Sequence, residues 1–179
     1  MRAARAAATV LVAALALIAA GCGGGGDDTS AAEQWAEELC SAVTTWTDSI
    51  QESGEGLMSS GTSSEGLQGV VDDVKSATDT LGDDIEALGT PDTESGEEAK
   101  DAVDDLADEL RDGVEEIETA VEGVSGLGEI ANALTTISGV FADMGSQLAE
   151  TFQTLEELDA SGELEEAFRQ AESCESLTE

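Results

Sequence analysis

The chain has 179 residues, of which 41 are acidic and 6 are basic, and its formal net charge is −35. It contains no His, so the commonest general base and metal ligand is missing. The scarcity of Lys and Arg excludes a nucleic-acid-binding protein, because a polyanion repels the phosphate backbone. Composition therefore narrows the functional classes without specifying an activity.

The N-terminus carries positive charge followed by an apolar segment. Arg2 and Arg5 precede residues 6–20, an apolar run that ends in small side chains. This layout is typical of a secretory signal peptide, and the run is shorter than the ~20 residues that span a bilayer. We predict that residues 1–21 are a signal peptide that is removed on export. The alternatives are a signal cleaved nearby that leaves Cys22 free, and an uncleaved membrane helix.

Residues 19–22, with the sequence AAGC, resemble the lipobox of bacterial lipoproteins. In that family the Cys is lipidated and becomes the first residue of the mature protein. The resemblance implies a diacylglyceryl group on Cys22, usually with a third acyl chain such as palmitate, and anchoring at the extracytoplasmic face of the cell membrane. More than one acyl chain is what stable anchoring requires. Residues 22–30 would then be the lipidated Cys and a flexible Gly-rich tether, and residues 31–179 an acidic helical domain.

The first predicted helix covers residues 31–51. Its apolar side chains recur every three or four residues on one face. They are Trp35, Leu39, Val43, Trp46 and Ile50. Ser30 and Glu33 have the spacing of an N-terminal capping box. Residues 53–65 are rich in Gly and Ser, which predicts a loop.

Two further helices show a seven-residue apolar repeat. We predict the second helix over residues 64–88 and the third over residues 97–124. The repeat positions are Leu67, Val74, Leu81 and Leu88 in the second, and Val103, Leu110, Ile117 and Val124 in the third. Gly89 and Pro91 end the second helix, because Gly favours a helix C-terminus and Pro cannot continue a helix.

The fourth predicted helix, residues 129–158, is poor in charge. Asp143 is the only charged residue between Ile130 and Ala149. This indicates either a helix enclosed by the bundle, which we expect, or a helix that meets a partner. A short fifth helix is predicted over residues 163–173.

These patterns predict an all-α fold, since no segment alternates apolar and polar residues over a useful length. We expect an up-down antiparallel four-helix bundle with a short additional C-terminal helix. Long apolar stripes joined by short connections favour antiparallel neighbours. The seven-residue spacing favours left-handed packing of the helices.

Cys40 and Cys174 are the cysteines that remain if Cys22 is lipidated. Disulfides persist in exported proteins, and in the predicted bundle the fifth helix rises beside the first. At 1.5 Å per residue, the two cysteines then lie at similar heights. We predict a disulfide between them, with two free buried thiols or a reactive pair as the alternatives.

Both ends of the domain resemble small secreted or lipid-anchored proteins of high-GC actinobacteria. The resemblance rests on the pattern WAxxLCxAVxxW, from Trp35 to Trp46, and on SCxxL, from Ser173 to Leu177. It covers only these two ends of the domain. It implies an extracytoplasmic location and the disulfide, and it supplies no activity.

The sequence offers no constellation of catalytic residues. Acidic pairs such as Asp72 and Asp73 recur, but neighbours on a helix point about 100° apart and form no cage for a divalent cation. Residues 157–168 fail the spacing of a calcium-binding loop at the last position. We expect no enzyme, no cofactor and no specific metal site, with cations bound diffusely on the acidic surface.

Four aromatic residues are candidates for either core packing or a ligand site. Trp35 and Trp46 are three helical turns apart and face the same way. Core packing is the interpretation we expect for this pair. The other interpretation groups Trp35, Trp46, Phe141 and Phe152 around an apolar ligand.

The leading functional hypothesis is a lipid-anchored extracytoplasmic helical protein with a non-enzymatic interaction or cell-envelope role. Its partners would be the membrane, through the lipid anchor, and a protein that the sequence does not identify. The alternative is a carrier that binds a small apolar ligand between its helices or divalent cations on its acidic surface. A bundle that opens along one line of helix contact would provide such a cavity.

Overall fold

The computed structural model describes residues 30–59, 63–158 and 162–177. Helices cover most of these residues and no strand occurs among them, so the predicted all-α class is confirmed. The elements are α1 (Ala31–Ser59), α2 (Ser64–Leu88), α3 (Gly96–Val121), α4 (Leu127–Leu158), α5 (Glu163–Gln170) and a final 3₁₀ helix (Glu172–Leu177). The predicted signal peptide, the lipidation site Cys22 and the tether as far as residue 29 lie outside the described residues.

The start of α1 is the predicted capping box. The Glu33 amide donates a hydrogen bond to Ser30 Oγ at 3.1 Å, and the Ser30 amide donates to Glu33 Oε2 at 3.3 Å. These bonds satisfy two backbone donors that a helix start leaves without intrahelical partners.

The end of α1 corrects the sequence analysis, because the helix continues to Ser59. The prediction of a loop over residues 53–65 is therefore wrong for its first half. Ser53 is buried, and its hydroxyl donates to the Ser49 carbonyl at 2.8 Å. A Ser that bonds the preceding turn in this way is compatible with a helix interior.

The apolar stripes of the first four helices meet in one core. The repeat positions Leu67, Val74, Leu81, Val103, Leu110 and Ile117 are buried there. Burial of each such side chain contributes roughly 1.5–3 kcal/mol before conformational entropy is set against it. The core therefore supplies the main stabilisation of a chain that carries a large net charge.

Close packing joins successive helices, α1 with α2, α2 with α3 and α3 with α4, in the manner of a helical bundle. In addition, α5 and the 3₁₀ helix pack on α1. In the described part of the chain, α1 and α4 form no comparable contact. We call the space between these two helices the α1/α4 seam.

Two long-range hydrogen bonds join the ends of neighbouring helices. Trp35 Nε1, near the start of α1, donates to the carbonyl of Gly89, which follows α2, at 3.0 Å. Ser95 Oγ, just before α3, donates to the carbonyl of Leu158 at the end of α4, at 2.8 Å. The start of one helix is thus fixed to the end of another in each pair.

The C-terminal segment is fastened to the first half of α1. Cys40 and Cys174 form a disulfide that links positions 134 residues apart, as predicted. Ser173 Oγ also donates to the Glu37 carbonyl at 2.8 Å. The fifth helix is shorter than predicted, because α5 ends at Gln170 and the chain continues as the 3₁₀ helix.

The outer side of α4 is exposed, so the expectation that this helix is enclosed is wrong. We define the outer face of α4 by its exposed residues Ala131, Thr135, Ser138, Gly139, Ala142, Asp143 and Ser146. The physical reason is that, among the helices of the described residues, α3 alone packs extensively on α4. The side of α4 that is poor in charged residues is therefore a solvent-exposed surface.

Candidate functional site

The two sides of α4 differ in how well they are covered. Toward α3, Val140 and Met144 are buried beside Gly113, where an added Cβ would lie 2.6 Å from Met144 Cε. On the other side, Phe141 and Leu148 are only partly buried. The difference follows from packing, because α3 covers the first side, whereas in the described residues α1 makes no comparable contact with the second.

A groove lies along the second half of α4, where the disulfide and α5 border the α1/α4 seam. Its volume is about 820 Å³, within the range of 300–1,000 Å³ that is typical of small-molecule sites. We call it the α4–α5 groove. Its lining residues are Cys40, Gly145, Leu148, Ala149, Phe152, Gln153, Glu156, Glu165, Phe168, Arg169 and Cys174.

Aromatic rings form one wall of the α4–α5 groove. Phe152 on α4 and Phe168 on α5 meet edge to face, with ring centroids 5.8 Å apart. Phe168 also meets Trp35 edge to face at 6.2 Å. Edge-to-face contacts at these separations are favourable, and both Phe side chains remain partly exposed. The wall therefore keeps apolar surface in contact with solvent.

The groove has a polar end where α4 approaches α5. Arg169 Nη2 donates to Glu165 Oε1 at 2.9 Å, and Arg169 also pairs with Glu166. Hydrogen bonds to Glu165 and then to Glu166 raise the pKa of the Arg169 guanidinium. Glu156 also lines this end, where its side chain is exposed. Because two carboxylates already neutralise the arginine, the charge at this end of the groove is negative.

The four candidate aromatics do not share one site. Trp35 and Trp46 are buried, with exposed fractions of 4% and 5%. Trp46 Nε1 donates to Thr78 Oγ1 on α2 at 3.1 Å, so its polar atom is satisfied inside the α1/α2 contact. Phe141 and Phe152 are partly exposed, and of the four only Phe152 lines the α4–α5 groove.

Nothing in the sequence marks Leu148 or Phe168 as a ligand contact. Both occupy ordinary apolar positions of their helices, and no local pattern separates them from core residues. The available signal was the predicted disulfide, because it places the fifth helix beside Cys40. Residues on the fifth helix that face the fourth could have been proposed from that constraint.

Other depressions in the described residues have different chemistry. A groove of about 550 Å³ between α1 and α2 is lined largely by Ser, Thr, Gly and acidic residues. A second one, of about 640 Å³, lies where the starts of α1 and α5 meet and includes Glu33, Asp92 and Glu163. Neither combines partly exposed aromatic rings with a polar end.

Acidic side chains do not converge on a metal site in the described residues. Within this part of the chain, no group of three or more His, Cys, Asp or Glu is arranged to hold a metal ion. In the same residues, no helix is both long enough and apolar enough to cross a membrane. No family model, no curated protein and no solved structure matches the chain.

Proposed function

We propose that this chain is a lipid-anchored extracytoplasmic protein with a non-enzymatic interaction role at the cell envelope, and that α4 presents its contact surface. The observation that carries the proposal is the outer face of α4, which is solvent-exposed and has Asp143 as its only charge between residues 130 and 149. Leu127, at the start of the same helix, is 81% exposed. A partner can cover this surface without desolvating many carboxylates, a step that is costly.

We also propose the finer architecture, an up-down antiparallel bundle of four helices to which α5 and the 3₁₀ helix are added. The bonds from Trp35 to Gly89 and from Ser95 to Leu158 support this arrangement, because each joins the start of one helix to the end of its neighbour. The position of Gly113 against Val140 and Met144 also fits antiparallel α3 and α4. In this arrangement the α1/α4 seam is the one that α5 partly covers.

The net charge of the domain bears on the kind of partner. Two copies of a strongly anionic chain repel each other, and an anionic membrane surface repels the chain as well. Attachment to the membrane therefore depends on the acyl chains proposed at Cys22. The partner of the α4 surface would be neutral or positively charged.

A second candidate function, a carrier of a small apolar ligand, is favoured by a different observation. The α4–α5 groove is of the size of a small-molecule site and exposes parts of Leu148, Phe152 and Phe168. Ligand sites between helices of a bundle are built in this way. The carrier uses the second half of α4, from Gly145 to Glu156, and the protein partner uses the exposed residues of its first half.

The anchor is tested by labelling cells with radioactive palmitate and separating membranes from soluble protein. Wild type and the double variant Cys40→Ala/Cys174→Ala should carry the label, whereas Cys22→Ala should not. Label in all three proteins would contradict lipidation at Cys22. Native mass spectrometry of the protein from its own membrane would give the mass of the attached lipid and of any retained ligand.

The contact surface is tested by photo-crosslinking in intact cells. A benzoylphenylalanine at Ser138, on the outer face of α4, should give a discrete crosslinked product. The same group at Gln68, an exposed position on α2, is the matched control and should not. Equal products from both positions, or none from Ser138, would contradict the role assigned to α4.

A further inference from the structure

The α4–α5 groove changes character along its length. Gly145, Leu148, Ala149 and Phe152 line its α4 side first, and Gln153 and Glu156 follow toward the end of the helix. The first and last of these positions are 11 residue steps apart, which corresponds to about 16 Å of helix at 1.5 Å per residue. The groove is therefore elongated, with an apolar end and a polar end.

The apolar end has room for a chain because the side chains there are small. Gly145 and Ala149 are exposed, and a Cβ added at Gly145 would meet no atom within 4 Å. Leu148 and Phe168 offer partly exposed apolar surface beside them. An aliphatic chain that covered this surface would remove it from water, which is the main source of apolar binding energy.

At the polar end of the groove, the exposed carboxylate of Glu156 can pair with a charged ligand. Glu156 makes no hydrogen bond or ion pair within the described residues, whereas Glu165 is already paired with Arg169 at 2.9 Å. Phe152 lies one helical turn before Glu156 and is partly exposed, and the face of an aromatic ring attracts cations through its quadrupole. The net charge of −35 adds a long-range field of the same sign. A cation is therefore favoured at this end and an anion is disfavoured.

We propose that the α4–α5 groove binds a cationic amphiphile, with its alkyl chain along Gly145 and Leu148 and its cationic head between Phe152 and Glu156. The inference rests on the carrier function proposed above and specifies its ligand class. A neutral lipid would use only the apolar end of the groove. A fatty acid would place its carboxylate against Glu156.

The test compares three amphiphiles with the same alkyl chain, below their micelle concentrations, by isothermal titration calorimetry. They are dodecyltrimethylammonium, dodecyl maltoside and dodecyl sulfate. The full chain is used with Cys22→Ala, so that no attached acyl chain competes for the groove. We expect one saturable site for the cation, about tenfold weaker binding of the neutral compound, and no saturable binding of the anion, because charge attraction adds to the same apolar contact.

Two pairs of variants locate the site. Gly145→Leu fills the groove and should abolish saturable binding. Gly139→Leu adds the same side chain on the outer face of the same helix, where a Cβ also meets no atom within 4 Å, and should bind like wild type. Glu156→Gln should weaken cation binding about two- to fivefold, the effect of one exposed ion pair. Glu157→Gln, the adjacent exposed acid, should have no comparable effect.

Different binding results would contradict the cationic ligand class alone, or the carrier function as well. Equal affinity for the cationic and neutral compounds, with both lost in Gly145→Leu, would overturn the cationic class and leave the carrier standing. Equal effects of Gly145→Leu and Gly139→Leu, or no saturable binding by wild type, would overturn both. Several weak cation sites that neither glycine substitution removes would show binding to the acidic surface and would also overturn the inference.

Discussion

Both sides of α4 carry apolar side chains, yet those on one side are buried and those on the other are partly exposed to solvent. Toward α3, Val140 and Met144 are buried against Gly113. Toward α1, Phe141 and Leu148 are partly exposed, and a groove of about 820 Å³ follows part of that side. An apolar stripe therefore shows which residues of a helix can pack. Whether those residues are buried depends on the element that lies against them.

The element that partly covers α4 on the side of the α1/α4 seam is α5, a helix of 8 residues that the Cys40–Cys174 disulfide fastens to α1. Within the described ranges, α5 packs on both α1 and α4, the 3₁₀ helix packs on α1, and the Cys40–Cys174 disulfide fastens this segment to α1. On the α3 side, a helix of 26 residues performs the same role. The covalently fastened side should therefore contribute less to the free energy of unfolding than the side that packs on α3.

The largest effect is expected from loss of the disulfide. The bond joins residues 134 positions apart, and for a closure of that size the chain-entropy model gives about 4–5 kcal/mol. Cys40→Ala/Cys174→Ala should lower the free energy of unfolding in urea by about this amount. Amide hydrogen exchange should accelerate in α5 before it does in α2 and α3. Uniform acceleration in all helices would contradict the local role of the bond.

Two leucine truncations compare the stability contributed by a fully buried side chain with that contributed by a partly exposed one. Leu110→Ala, at a position that is 0% exposed, should cost about 2–5 kcal/mol because it leaves a cavity. Leu148→Ala should cost about 1 kcal/mol, since its side chain is already partly in solvent. Urea denaturation of both variants gives the comparison. Equal losses of stability would show that the α1/α4 seam is closed in solution.

A smaller effect is expected from the buried hydrogen bond between α1 and α2. Thr78 is buried and accepts the hydrogen bond of Trp46 Nε1 at 3.1 Å. Thr78→Val keeps the shape and leaves the indole N–H without its partner, which costs about 1–3 kcal/mol. Thr80→Val, an exposed position on the same helix, is the control. If both variants unfold at the same urea concentration, the indole bond contributes nothing.

The smallest effect concerns the beginning of α4. The Glu129 carboxylate accepts hydrogen bonds from the amides of Ser125 and Gly126, each at 3.0 Å, and these bonds lower the pKa of Glu129 below its ordinary value of 4.5. A carboxylate with a lowered folded pKa stabilises the fold above its unfolded pKa and loses that contribution as the pH falls through the folded pKa. Glu129→Gln should therefore slightly lower the melting temperature at pH 7, with the difference from wild type vanishing in acid.

The control for this titration is Glu122→Gln, which changes an exposed acid just after α3. It removes the same charge but leaves the charged acceptor of the two amide bonds in place. Its melting temperature at pH 7 should not fall below that of wild type, because it reduces the self-repulsion of the chain. A pH-independent difference between Glu129→Gln and wild type would contradict the assignment to the carboxylate.

Much of the fold could be predicted from local pattern. The seven-residue repeats identified the buried rows of α2 and α3, and the spacing of Ser30 and Glu33 identified the start of α1. The Cys40–Cys174 disulfide was predicted from the expectation of export and from the order of the helices. These features depend on residues that are close in sequence or on a simple count of cysteines.

The candidate groove could not be predicted in the same way. Leu148 has the helical spacing of a core residue, and its exposure depends on how far α5 extends over the α1/α4 seam. The end of α1 was also missed, because Gly54 and Gly56 indicate a loop by composition although they lie within the helix. The exposure of Leu148 is decided by contacts between elements, which a periodic pattern does not contain. The end of α1 lies beyond a buried Ser53 that bonds the Ser49 carbonyl, and residue composition does not reveal that bond.

If the α1/α4 seam holds an accessible apolar groove, a neutral dye whose fluorescence rises in apolar surroundings should bind there. The chain with Cys22→Ala is titrated with Nile red, and the same titration is made with Gly145→Leu and with Gly139→Leu. The account predicts bright, saturable emission from the parent chain and from Gly139→Leu, and near-background emission from Gly145→Leu. Equal emission from the two glycine variants would contradict it.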